Sequence, residues 1–157
     1  MFTVVFFVLA LACGAVNLAV ARERKPLEIF TRWLLFVSVG FGGVFAFLGH
    51  AFMPEKIARS IGWETSPFQF EVAVSNLAFG VLGLLCLFFR GRFWLASAVG
   101  YAVFLLGCAV GHIREIVVNQ NMAVNNAGPI LWFGDIILPL LVLGLVIACQ
   151  VGPARER

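Results

Sequence analysis

ILWFGDIILPLLVLGLVIACQV, residues 130–151, decides what kind of chain this is. Apart from Asp135 and Gln150 the run is apolar. A helix needs about 20 such residues to cross the hydrocarbon core of a bilayer. Four more stretches qualify: Phe2–Val20, Ile29–Met53, Phe70–Phe89 and Phe93–Ile113. Of the 157 residues, 62% are hydrophobic and 12% are charged, and the five stretches fill about two thirds of the length. Soluble domains carry about 25% charge, so a soluble fold is excluded. The composition predicts an all-α integral membrane protein: a bundle of five transmembrane helices over 1–157, with a four-helix core plus an N-terminal helix. No room is left for a soluble domain.

The start of the first stretch has no Lys or Arg, unlike a secretory signal peptide, which predicts a retained helix. The basic residues are asymmetric. Arg22, Arg24, Lys25, Arg32, Arg90, Arg92, Arg155 and Arg157 fall on one side, eight in all, while Lys56, Arg59 and Arg114 fall on the other. Positive charge stays cytoplasmic. The N-terminus is therefore expected outside and the C-terminus in the cytoplasm. Trp33, Trp63, Trp94 and Trp132 sit near span ends, as interfacial aromatics do.

Connections carry further signals. Arg90-Gly91-Arg92 is short enough to make its two helices antiparallel neighbours. Pro54 ends the second span, and Ile57, Ala58, Ile61 and Trp63 alternate with Lys56, Arg59 and Ser60. That pattern predicts a short amphipathic surface helix, stopped by Gly62. Arg114–Pro129 is polar in its second half, which reads either as a solvated loop or as a lid over a ligand. Gly40, Gly43, Gly80, Gly83, Gly100, Gly107 and Gly111 are candidates for close helix packing. Pro139 removes a helical hydrogen bond and predicts a kink near Asp135. Cys13, Cys86, Cys108 and Cys149 lie in apolar spans without CxxC spacing, which argues against disulfides and thiolate metal sites. Asn17 and Gln150 are predicted interhelical hydrogen-bond formers.

The ionisable residues at the span ends share one side. His50 closes the second span, and Glu71 opens the third with Asn76 one turn deeper. His112 and Glu115 close the fourth. Asp135 lies six residues beyond Pro129, about 9 Å into the fifth helix. Charge inside a bilayer is costly and tends to mark function. Glu71, Asn76, His112 and Asp135 are thus the candidate ligand-binding residues, converging on one outward pocket. The simpler alternatives are a buried Asp135 bonded to Asn76 or paired with Arg114, and an interfacial His112 beside a solvated Glu115. His112 and Glu115, three apart on one helix face, would supply a metal site together with His50, although no motif demands one.

Gly49-His50-Ala51-Phe52-Met53-Pro54-Glu55, Ile61-Gly62-Trp63, Glu71 before Gly80 and Gly83, and Arg90-Gly91-Arg92 resemble the DoxX-like membrane proteins. The resemblance spans residues 30–113. It implies a four-helix core with the first helix added, and a role beside quinones or thiol redox partners. Glu71 is the residue that matches a functional position of that family.

Two functions of different class follow. One is binding of a small amphipathic or lipid-like ligand, with the polar residues at the mouth of its pocket. The other is a membrane oxidoreductase subunit that meets a quinone or a metal, or else a purely structural subunit. The bilayer is the first partner. Copies of the chain or a larger membrane complex are further candidates, and nothing points to nucleic acid. Five spans without an inverted repeat argue against a transporter.

Overall fold

The computed structural model describes residues 2–21 and 25–151. It is all-helical, and no strand occurs among the described residues. Arg22, Arg24, Arg155 and Arg157, on which the charge asymmetry partly rests, lie outside them. Helix α1 spans Phe2–Val20. Helix α2 runs over Pro26–Phe52, with π-helical winding at Leu34–Phe41. The short α3 covers Pro54–Ile61, and α4 covers Phe68–Leu85. Helix α5 is long, Arg92–Asn119, and the single turn α6 is Val124–Ala127. Helix α7 joins π-helical Ile130–Ile137 to α-helical Leu138–Val151. Five of these helical segments are long and apolar enough to cross a membrane.

Many large apolar side chains face outward, including Phe52, Phe68 and Phe88, each at least 70% exposed. In water such a surface would aggregate, whereas in lipid it is the ordinary exterior. Small residues therefore do the tight packing. A Cβ on Gly43 would lie 2.8 Å from the Gly80 backbone, and one on Gly83 would lie 2.7 Å from the Gly40 Cα. Helices α2 and α4 thus cross backbone to backbone. The predicted small-residue seam on α5 is absent. A Cβ on Gly107 would touch nothing within 4 Å, Gly100 accommodates the Phe79 ring, and Gly111 accommodates Trp63. Rings join α4 to α5 instead: Phe79 stacks on Phe104 at 5.3 Å and meets Tyr101 edge-on at 6.1 Å.

The first helix is part of the bundle. Phe7 meets Phe133 of α7 edge-on at 5.2 Å, and the Ser38 hydroxyl of α2 donates to the Phe6 carbonyl at 3.4 Å. Arg32 and Trp33 both donate to Asn17 Oδ1, at 2.6 and 3.1 Å. Gln150 donates to the Gly91 carbonyl at 2.9 Å, so both predicted hydrogen-bond formers link separate segments.

Two ends result. One carries Lys25, Arg32 and Arg90, and is the basic end. The other carries α3, α6 and the ends of α2, α4, α5 and α7 nearest them, and is the polar end. There α3 forms as its sequence predicts, with Pro54 in its first turn and Gly62 at φ 72° as its left-handed cap. The fourth span differs from its prediction. It continues through Arg114 to Asn119, and Gln120 then turns left-handed at φ 52°. The expected solvated loop shrinks to a few residues around α6. Within α7, Pro139 cannot donate to the carbonyl one turn back and its ring crowds that carbonyl. The residues before it, Ile130–Ile137, including Asp135, are wound as a π-helix.

Candidate functional site

Helix α5 carries Tyr101, Cys108 and His112 at offsets of seven and eleven residues, so one face bears all three. That face meets the π-helical start of α7, which holds Asp135. His112 Nε2 lies 3.6 Å from Asp135 Oδ2, and both side chains are about nine-tenths buried. Asp135 therefore pairs with His112, not with Asn76 or Arg114. Arg114 sits on the exposed side of α5.

His112 is held from its far side by α6. Its Nδ1 lies 2.8 Å from Asn126 Oδ1. The fully buried Asn126 donates through Nδ2 to the Asn121 carbonyl at 2.8 Å and to the His112 carbonyl at 3.4 Å. Its Oδ1 also accepts from the Trp63 indole at 3.2 Å. The amide nitrogen is thus committed elsewhere, and Oδ1 must accept from His112. The network assigns a proton to Nδ1, leaving Nε2 as the ring nitrogen nearest Asp135. The Trp63 ring lies against the imidazole, centroids 5.1 Å apart. Asn121 ties this cap to α3, donating to the Ile61 carbonyl at 2.9 Å. A Cβ on Gly62 would strike the Asn121 amide at 2.7 Å.

Two polar atoms at this end are unsatisfied. At 3.6 Å the His112–Asp135 contact is too long for a hydrogen bond, so Asp135 Oδ2 is buried without one. His50 Nδ1, in the last turn of α2, is likewise buried without a partner, and His50 lies within charge–charge range of His112. Each buried unsatisfied group costs about 1–3 kcal/mol. Native structures keep few of them without a reason.

The other predicted site residues are placed differently. Glu71 is exposed in the first turn of α4, and Asn76 donates back to the Val72 carbonyl at 2.9 Å. Neither hydrogen-bonds to His112 or Asp135. Glu115 accepts from Asn119 at 2.8 Å. Among the described residues no three His, Cys, Asp or Glu side chains converge as metal ligands, so His50, His112 and Glu115 form no such set. The convergence thus centres on His112 and Asp135, with His50 nearby. Sequence reasoning missed Trp63, Asn121 and Asn126 as site residues. The polar run Asn119–Asn126 was the available signal, and it became a candidate lid only in general terms.

No curated protein and no solved structure matches the chain. The sequence pattern of one family matches it over residues 1–154. The chain belongs to that family, DUF6790, a family of unknown function.

Proposed function

We propose that this protein binds a small amphipathic ligand at the polar end of its bundle. The ligand's apolar part lies among the helices, and its polar head bonds to Asp135, with His50 and His112 beside it. One observation carries the reading: a buried His–Asp pair whose Oδ2 has no hydrogen bond, beneath a cap built from Trp63, Asn121 and Asn126. A head group that donates a hydrogen bond would satisfy Asp135 Oδ2. The basic asymmetry supports an orientation with this end, and the N-terminus, outside the membrane.

The test is extraction of the protein in mild detergent, followed by mass spectrometry of what leaves with it. Wild type should carry one amphipath enriched over the bulk lipid. Loss of a hydrogen bond to a charged group corresponds to about tenfold or more in affinity. Asp135→Asn should therefore deplete the amphipath at least about tenfold. Equal recovery from both proteins would end the proposal.

A second reading makes the ligand a quinone and the protein an accessory of a membrane oxidoreductase. The His112–Asp135 pair favours it, because the hydroxyl of a reduced quinone could donate to the unbonded Asp135 Oδ2. The DoxX-like resemblance points the same way. An absorption spectrum and metal analysis of the purified protein separate the two: a quinone band in the extract supports the second, and an amphipath without a chromophore supports the first.

A further inference from the structure

At the opposite, basic end the last turn of α1, the start of α2 and the turn between α4 and α5 enclose an open cleft of about 200 Å³. Asn17, Lys25, Glu28, Arg32 and Arg90 line it. Among the described lining residues, Arg32 and Arg90 are cations beside the carboxylate of Glu28. That carboxylate is already engaged, since Arg90 pairs with Glu28 at 2.5 Å on a half-exposed surface. Arg32 is different. Its anchor is a neutral group, Asn17 Oδ1, held at 2.6 Å, and the same oxygen accepts from Trp33. Its Nε is buried and makes no hydrogen bond. A guanidinium that served only the fold would be expected to meet a carboxylate. Here it is positioned with charge and a donor unused.

The cleft also lies where the apolar spans α1, α2, α4 and α5 end. That is the depth at which lipid phosphates sit. Arginine's planar fork suits a phosphate's oxygens. We propose that this cleft binds an anionic phosphate group, presented by a lipid headgroup at the membrane surface or by soluble phosphate. Arg32 is its principal donor, Arg90 contributes charge, and Asn17 orients Arg32. The proposal is independent of the ligand at the polar end.

Native mass spectrometry of the full chain in detergent tests it, with phosphatidylglycerol and phosphatidylcholine of identical acyl chains as probes. Phosphatidylglycerol should bind preferentially. A basic residue near a membrane surface contributes about fivefold in affinity, so Arg32→Gln and Arg90→Gln should each weaken that binding by about this factor. Glu28→Gln should strengthen it. In a parallel arm without lipid, inorganic phosphate should raise the melting temperature of wild type more than that of Arg90→Gln. Competition between phosphate and phosphatidylglycerol assigns the cleft to headgroups. Stabilisation by phosphate that phosphatidylglycerol leaves unchanged assigns it to the soluble ion. Equal binding of the two lipids, unchanged in Arg90→Gln and with no stabilisation by phosphate, overturns the proposal. Arg90 is half-exposed, so its variant keeps the test decisive even if Arg32→Gln fails to fold.

Discussion

Asn126 shows how much one buried amide can fix. Its two ends accept from Trp63, bond His112 Nδ1 and donate to two backbone carbonyls. Truncation would leave His112 Nδ1 without an acceptor in a buried place, while the exposed Trp63 indole could turn to water. A buried orphaned group costs about 1–3 kcal/mol. Asn126→Ala should therefore destabilise the folded protein by about 1–3 kcal/mol. A melt followed with a thiol-reactive dye reads this through exposure of the buried Cys86, and an unchanged midpoint would mean that the network holds nothing. Asp135 was legible as a suspect because an acid within an apolar run is conspicuous. Its partner was less so. His112 lies 23 positions away on another helix, and only the register of α5 against α7 brings them together. Asn126 was hidden for a different reason: an asparagine in a polar run looks solvated until a tryptophan from a distant loop covers it.

At the scale of elements, the five spans were readable from hydropathy alone, because each must satisfy its own backbone hydrogen bonds in lipid. Their ends were harder to read. Helix α5 runs past its predicted end at Ile113 to Asn119, because hydropathy marks where the apolar run stops and not where the backbone leaves the helix. The seams were harder still, since glycine spacing does not reveal which glycine meets a backbone. Gly80 and Gly107 give a direct contrast. A Cβ on Gly80 would lie 2.8 Å from the Val44 nitrogen, backbone against backbone, and cannot be relieved by a rotamer. Gly80→Ala should destabilise by about 1–3 kcal/mol, the usual cost of overpacking. Gly107→Ala meets open space and should leave stability unchanged or raise it by up to about 1 kcal/mol through helix propensity. Paired melts check both, and equal loss in the two variants would contradict the α2–α4 crossing.

For the whole molecule, the two ends divide the chemistry. The basic end holds Arg32 and Arg90, and the polar end holds His50, His112 and Asp135. If the charge asymmetry sets orientation, Thr65→Cys, exposed between α3 and α4, should react with an impermeant thiol reagent in intact cells. Arg92→Cys should react only after permeabilisation, and the opposite pattern would invert the orientation. At the polar end, the proposed ligand sits against Asp135. An experimental density map of the protein in native lipid tests this most directly. It should contain non-protein density within about 3 Å of Asp135 Oδ2 and extending toward His50. A map in which a protein side chain bonds Asp135 Oδ2 and closes that space would contradict it.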